Sequence, residues 1–314
     1  MEWSDESRLD LIDAIVYGDA FDAAVTIEEI RRFSKVAVEA DELAAILGED
    51  RALAELLLKR SGFFSLRDRP GLSEQRPSRI ARARRLQRRA LRVARVLRHA
   101  PFLRALVLTG SVAADDAAPN ADLDLLVVVA PGRLGTVFVL LGSASRILGR
   151  QILCPNFYVS EEHLAVRAES PYVARELAQA RLLVGDEFSL RRENPWLSTM
   201  FPNLPGEVAG LEAVRSRTTL QRLLEAPLSG GLGRRMEQWA RGVARARLHA
   251  HYAGEVPVAV ASQFEAGEAL RFHGSEIDKT IAARYATRRR EAAEMLMVAG
   301  SSAAEKEGYA GRSS

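Results

Sequence analysis

The sequence has very little cysteine, few aromatic residues and no long apolar segment. Its single cysteine, Cys154, excludes an intramolecular disulfide and favours a reducing compartment. The most apolar window, residues 134–149, is too short to span a bilayer, and Gly142, Ser143 and Arg146 interrupt it. The opening residues MEWSDESRLD are acidic and polar, unlike those of a secretory signal peptide. We therefore expect a cytoplasmic protein with no membrane partner.

Several functional signatures are also missing. The chain contains no internal repeat, no serine or cysteine triad pattern and no glycine-rich dinucleotide fingerprint. Its 44 basic and 41 acidic residues give a net charge of only +3, so the overall charge does not indicate a nucleic-acid partner. A length of 314 residues allows two or three domains. Any indication of function must come from local patterns.

The clearest local pattern is a Gly-Ser pair followed by two aspartates, within ALVLTGSVAADDAAPNADLDLLVVV at residues 105–129. Asp122 and Asp124 alternate at the start of an apolar strand, which predicts that both project to one face. Two adjacent carboxylates repel each other unless a cation lies between them, and hard oxygen ligands suit Mg²⁺. Gly110 and Ser111 end the preceding strand, where glycine allows close approach of a phosphate and the amides opening a helix attract anions. The segment predicts a phosphate-binding turn beside a metal site.

This order of Gly-Ser, ten residues and Asp-Leu-Asp-Leu resembles the signature of the polymerase-beta-type nucleotidyltransferase superfamily. The resemblance covers roughly residues 100–200. It implies that Gly110 and Ser111 hold the β- and γ-phosphates of a nucleoside triphosphate, with ATP as the default co-substrate. It implies that Asp122 and Asp124 hold one or two Mg²⁺ ions, with Mn²⁺ as a substitute. The implied activity is transfer of a nucleoside monophosphate to an acceptor with release of pyrophosphate, a small molecule being favoured over RNA or protein.

The sequence departs from the superfamily pattern at the third carboxylate, which usually lies on a neighbouring strand. The next predicted strand, QILCPNFYVS at residues 151–160, contains no acid. Asn156 is its best-placed polar residue, and Glu161 and Glu162 follow it closely enough to be considered as substitutes. Three alternatives remain: the site works with two aspartates, the base comes from elsewhere, or nucleotide binds without turnover. The last alternative describes a catalytically silent nucleotide-binding or DNA-associated regulatory protein.

The flanking segments predict an α+β protein in several parts. Residues 1–75 predict three helices and a hairpin around Arg69-Pro70-Gly71, an arrangement similar to a winged-helix module, for which we favour an interaction role. Residues 100–203 predict a small mixed sheet with helices on one side, as the resemblance implies. Residues 204–302 predict a helical C-terminal domain, in which Lys279 is a candidate cation for the triphosphate. Residues 303–314 predict a disordered tail.

Residues 76–99 predict a connecting helix with an arginine-rich face. Such a face either binds a polyanion or is a solvated surface on which some arginines pair with acids of neighbouring domains. We favour the second interpretation, because no aromatic residues suited to base stacking are interleaved with the arginines. The arginines are Arg82, Arg84, Arg85, Arg88, Arg89, Arg92 and Arg95.

Overall fold

The computed structural model describes residues 3–149, 152–166, 170–185, 190–204, 211, 213–272 and 275–310. It consists of 59% helix and 14% strand in two sheets, which confirms the predicted α+β class. Within the described ranges, no helix combines the length and the apolar character that crossing a membrane requires.

The N-terminal region forms a helical layer with a small antiparallel sheet. Thr26 starts the third helix with a capping box, in which its side chain accepts from the Glu29 amide and the Glu29 side chain accepts from the Thr26 amide. The strand order is β1-β3-β2. The elements are α1 (Asp5–Leu11), α2 (Asp13–Ala20), β1 (Val25–Thr26), α3 (Ile27–Phe33), α4 (Ala40–Glu49), α5 (Arg51–Leu56), β2 (Leu57–Arg60) and β3 (Phe63–Leu66).

The hairpin lies earlier in the chain than the sequence predicts. Its turn is Ser61-Gly62, where both residues have positive φ values of 54° and 82°. This backbone geometry matches the twist of two-residue hairpins. Pro70 instead precedes the long helix α6 (Gly71–Leu97), for which its fixed φ is suited. The prediction of a hairpin around Arg69-Pro70-Gly71 was therefore wrong, because this segment is the turn that leads from β3 into α6.

The central region contains a mixed five-stranded sheet of order β7-β4-β5-β6-β8. Strands β5 and β6 are parallel, and the other neighbouring pairs are antiparallel. Strand β8 was not predicted, because its three residues lie within an apolar pattern that also suits a helix. The elements are β4 (Leu103–Leu108), α7 (Gly110–Ala113), β5 (Asp124–Val129), α8 (Leu134–Leu148), β6 (Cys154–Ser160), α9 (Pro171–Gln179), β7 (Arg181–Val184), α10 (Leu190–Glu193), α11 (Trp196–Met200), α12 (Thr219–Glu225), a 3₁₀ turn (Ala226–Leu228), α13 (Gly231–His251), α14 (Val258–Ala266), β8 (Ala269–Arg271) and α15 (Ser275–Ala310).

Both faces of this sheet are buried, which differs from the one-sided arrangement we predicted. Leu106 and Val127 pack into one core with α6, α8 and α13, whereas Val107 and Val128 pack into another with α9 and α11. The strands are apolar on both faces for this reason. Phe33 of the N-terminal region also belongs to the second core, so this region covers part of the sheet.

The C-terminal helix α15 packs away from the other C-terminal helices. Its residues Tyr285, Ala292 and Leu296 share a core with α1, α2 and α5, whereas α13 packs on α8. The 204–302 segment thus divides between two cores. Helix α15 also includes residues 303–310, where we predicted disorder; Ala, Glu and Lys in this stretch favour helix. The rest of the predicted tail, residues 311–314, lies outside the described residues.

The arginine-rich face of α6 carries fewer ion pairs than predicted. Arg76 and Arg79, which precede this face, both pair with Asp116. Arg82 donates to the carbonyl oxygen of Ala117 at 2.6 Å. Among the described residues, no acidic partner lies within ion-pair distance of the remaining arginines of the face, which are Arg84, Arg85, Arg88, Arg89, Arg92 and Arg95.

Candidate functional site

The predicted site lies at one edge of the five-stranded sheet, where β4 ends and β5 begins. Asp124 is the first residue of β5, and its carbonyl oxygen accepts the Thr109 amide at 3.0 Å. This bond continues the β4–β5 ladder by one step and fixes the turn that follows. Gly110 and Asp124 are thereby brought into contact, as the sequence pattern predicts.

Gly110 has a backbone conformation and a packing position that exclude a side chain. Its φ is +70°, and a Cβ atom placed there would lie 2.6 Å from Oδ2 of Asp124. Ser111 follows on the exposed side of the one-turn helix α7. Its hydroxyl has no hydrogen-bond partner among the described residues. The turn therefore carries only a glycine and a serine, with no bulky side chain next to the Asp124 carboxylate.

Asp122 and Asp124 converge although Asp122 precedes the strand. Their carboxylate oxygens and the Cys154 sulfur all lie within 4.8 Å of one another. Cys154 is a soft ligand, but its thiol is engaged by the Oδ1 atom of Asn156, to which it donates at 3.0 Å. The remaining donors are two carboxylates, a set that fits Mg²⁺, which is commonly bound by one or two carboxylates together with substrate phosphates.

Asn156, the strand residue considered for the third position, lies beside Asp124. Strand β6 runs parallel to β5, with Cys154 opposite Asp124, and a shift in the register between Pro155 and Phe157 leaves Asn156 without a partner residue on β5. The Asn156 amide donates a hydrogen bond to Oδ1 of Asp124. The strand position at which the superfamily resemblance implies a third carboxylate is thus filled by a neutral hydrogen-bond donor.

The electrostatic environment disfavours the charged form of Asp124. Burial, followed by the negative charges of Asp122 and Glu176, raises the pKa of Asp124 from its ordinary 3.8 to about 7, while the hydrogen bond from Asn156 acts in the opposite direction. A bound cation would lower the pKa of Asp124 again, because it favours the ionised carboxylates.

Glu176 is the residue of this site that the sequence did not indicate. It lies on α9, and its Oε2 atom accepts the Gly110 amide at 2.7 Å while Oε1 accepts from Gln179. The third carboxylate near Asp124 therefore comes from a helix packed on the sheet. Nothing in the segment RELAQ distinguishes Glu176 from an ordinary helical glutamate, because its contact with Gly110 is made by tertiary packing.

Two cavities meet at this edge, and Asp124, Tyr172 and Glu176 line both. Cavity A, of about 330 Å³, also contains Asp122, Asn156 and Arg271. Cavity B, of about 240 Å³, also contains Gly110 and Ser111, and its far wall is formed by the N-terminal region and α15 through Tyr17, Phe21 and Ile281. The acidic pair and the Gly-Ser turn thus face two adjoining compartments.

Glu161 and Glu162 lie at the opposite end of the sheet, so the prediction that they substitute for a third carboxylate was wrong. Because β6 is parallel to β5, residues that follow β6 emerge at the far edge, about 20 Å from its beginning. There Glu161 lies 3.6 Å from Arg104, and both glutamates line a separate cavity.

Lys279 is exposed on α15, two residues before Ile281 of cavity B, and its role stays a prediction. The cation that the structure places at cavity A is Arg271, whose guanidinium lies over the Phe157 ring at 4.9 Å.

Comparison with known protein families, with curated proteins and with solved structures gives no match for this chain.

Proposed function

We propose that this protein is a Mg²⁺-dependent nucleotidyltransferase that moves a nucleoside monophosphate from a nucleoside triphosphate to a small-molecule acceptor. The observation that carries the proposal is the convergence of Asp122 and Asp124 beside the Gly110-Ser111 turn. Two carboxylates that repel each other in a partly buried position favour a divalent cation. The adjoining turn leaves no room for a side chain, which suits close approach of a phosphate.

The finer fold assignment belongs to the same proposal. The β4–turn–β5 unit and the parallel strand β6 correspond to the order expected of a nucleotidyltransferase core. In the N-terminal region, helices precede the β2–β3 hairpin, and β1 completes a three-stranded sheet, which supports a winged-helix-like module. We assign this module an interaction role, because it forms one wall of cavity B.

Each residue of the site then has a defined task. Asp122 and Asp124 would hold Mg²⁺, which when bound supplies charge neutralisation and orientation for phosphoryl oxygens. Gly110 and Ser111 donate an amide and a hydroxyl to the phosphates. Asn156 holds Asp124 in place through the hydrogen bond to Oδ1.

Glu176 takes the role of the missing acid. Its carboxylate accepts the same Gly110 amide that a phosphate would use. Triphosphate binding therefore requires Glu176 to release this amide, and the released carboxylate becomes available beside Asp124. There it serves as the base that accepts the proton of the acceptor hydroxyl.

The size of the two cavities supports a small acceptor. Cavities A and B have volumes of about 330 and 240 Å³ and meet at Asp124 and Glu176. Compartments of this size suit two small substrates, one on each side of the acidic residues.

The proposal is tested by pyrophosphate release. The protein is incubated with the four nucleoside triphosphates, Mg²⁺ and either the low-molecular-weight fraction or the nucleic-acid fraction of a cell extract. We expect release with the low-molecular-weight fraction and loss of release in Asp124→Asn. An exposed acid on α4, Asp41, provides the control Asp41→Asn, which should retain full release.

The second candidate function is a catalytically silent nucleotide-binding or DNA-associated regulatory protein. The observation that favours it is the neutral Asn156 at the expected position of a third carboxylate. Metal-dependent nucleotide binding, with no pyrophosphate release when either fraction of the cell extract is added, would favour the regulatory protein over the enzyme. Release that persists unchanged in Asp124→Asn would contradict the proposed enzyme.

A further inference from the structure

The outer face of α6 is a concentrated positive surface that the proposed transferase activity does not use. Five of its arginines are exposed: Arg84, Arg85, Arg88, Arg92 and Arg95. At about 100° per residue they fall within an arc of about 100°. From the first to the last they extend along about 16 Å of helix. Neighbouring charges are therefore separated on average by about 4 Å along the helix, comparable to the spacing of about 3.4 Å per phosphate along one strand of a duplex.

The part of the protein that the structure describes does not neutralise this face. The one acidic residue of α6, Glu74, pairs with Arg60 at 2.5 Å. No described carboxylate lies within ion-pair distance of the exposed arginines. Arginines three and four residues apart on a helix repel each other, so the face gains free energy when an anionic partner covers it.

The inner face of α6 keeps the helix fixed to the core. Gln87 donates to the carbonyl oxygen of Val112 at 2.8 Å and to Oδ1 of Asp115 at 2.7 Å. Ala83, Ala90 and Ala94 are buried. The arginines are consequently presented on a rigid element that faces away from α7.

The composition of the face selects the kind of anion. All its cations are arginines, whose planar guanidinium matches phosphate oxygens in pairs. The structure describes all of α6, and Val96 is its one exposed large apolar side chain. The helix therefore has no apolar stripe that could insert into a membrane surface. The helix has no aromatic residue to stack on unpaired bases, which favours a duplex over a single strand.

We propose that the outer face of α6 binds the sugar-phosphate backbone of a nucleic-acid duplex, without reading its sequence. This interaction does not depend on nucleotidyl transfer, since none of these arginines lines cavity A or cavity B.

The test is the salt dependence of duplex binding by the full-length protein. Fluorescence anisotropy follows labelled DNA and RNA duplexes of mixed sequence between about 50 and 200 mM KCl. Four or five phosphate contacts predict a slope of log K against log salt of about −4, equivalent to about a 250-fold loss of affinity over this range. The DNA and RNA arms show which duplex is preferred.

The decisive variant replaces Arg84, Arg88, Arg92 and Arg95 by glutamine, which retains helix propensity. We expect its slope to fall to about −1 and its affinity at about 50 mM KCl to fall at least about 30-fold. The matched control removes four exposed arginines elsewhere (Arg222, Arg234, Arg235 and Arg290→Gln) and should keep most of the slope. If the quadruple variant is not folded by circular dichroism, the pair Arg84→Gln/Arg88→Gln should lower the slope by about half.

Three results would overturn the proposal. One is an equal slope in the wild type and the α6 variant. Another is an equal loss in the control, which would assign binding to net charge alone. The third is binding to phosphatidylserine vesicles or polyglutamate that is as tight as duplex binding and is lost in the same variant.

Discussion

Replacement of Asp124 by asparagine should stabilise the metal-free protein at alkaline pH and leave its stability nearly unchanged at acidic pH. The pKa of Asp124 is about 7 in the folded protein, above the ordinary 3.8. Between these two values the folded chain holds a proton that the unfolded chain has lost. The free energy of unfolding of the wild type therefore falls as the pH rises through this window, and the loss is complete above about pH 7.

The magnitude follows from the same shift. A tenfold change in the ionisation constant corresponds to about 1.4 kcal/mol, so the rise of the pKa from 3.8 to about 7 sets an upper bound of about 4 kcal/mol. Relaxation of water and side chains around the charged form reduces this value, and we expect about 1–3 kcal/mol. Asparagine has the shape of the protonated aspartate, retains an oxygen to accept from Asn156 and cannot ionise.

Urea unfolding with EDTA at about pH 3.5, below both pKa values, and at about pH 8 measures the effect. Asp124→Asn should exceed the wild type by about 1–3 kcal/mol at the higher pH and differ by less than about 0.5 kcal/mol at the lower pH. Asp41→Asn, on the exposed side of α4, should show no such pH-dependent gain. A variant less stable than the wild type at both pH values, or a difference independent of pH, would refute the reasoning.

The remaining predictions concern neighbouring residues. Gly110→Ala should abolish nucleotide binding and lower stability by about 1–3 kcal/mol, because its φ is +70° and its Cβ would meet the Asp124 carboxylate; calorimetric titration and thermal unfolding measure both effects. Gly132→Ala, at φ +65° with open space around the Cβ, is the matched control and should lose about 1 kcal/mol but retain binding. Glu176→Gln should tighten triphosphate binding several-fold, because repulsion is removed, and should abolish transfer; unchanged transfer would exclude Glu176 as the base. Glu162→Gln should leave the affinity for Mn²⁺, measured by electron paramagnetic resonance, within about twofold, because this residue lies at the far edge of the sheet.

The part of the site that the sequence could predict is local in the chain. Gly110 and Asp124 are joined by one turn, so their residue types and spacing bring them together through a single pair of neighbouring strands. Asn156 follows from the next strand, because parallel pairing places the beginnings of β5 and β6 at one edge. The same strand direction excludes Glu161, which its closeness to Asn156 in the sequence suggests as a candidate.

The part that could not be predicted depends on packing between distant segments. Glu176 reaches Gly110 only because α9 packs on the sheet. The apolar pattern of α9 indicates which face of this helix is buried, but not which element that face packs against. That no described acidic residue pairs with Arg84 or Arg88 likewise depends on where the acidic residues of other elements lie. The hairpin at Ser61-Gly62 was missed because the leucines of LLLKR suit a helix and a strand equally.

The most direct test of the nucleotide site is a thermal-shift titration with each nucleoside triphosphate, with and without Mg²⁺. It compares the wild type with Asp122→Asn/Asp124→Asn, each relative to its own ligand-free melting temperature. A ligand at a hundredfold its dissociation constant stabilises by about 2.7 kcal/mol, or about 5 °C for a chain of this size. We predict a Mg²⁺-dependent rise of this order for at least one triphosphate in the wild type and none in the double variant. No rise with any triphosphate, or an equal rise in both proteins, would contradict the assignment of Asp122 and Asp124 as the metal ligands of a nucleotide site.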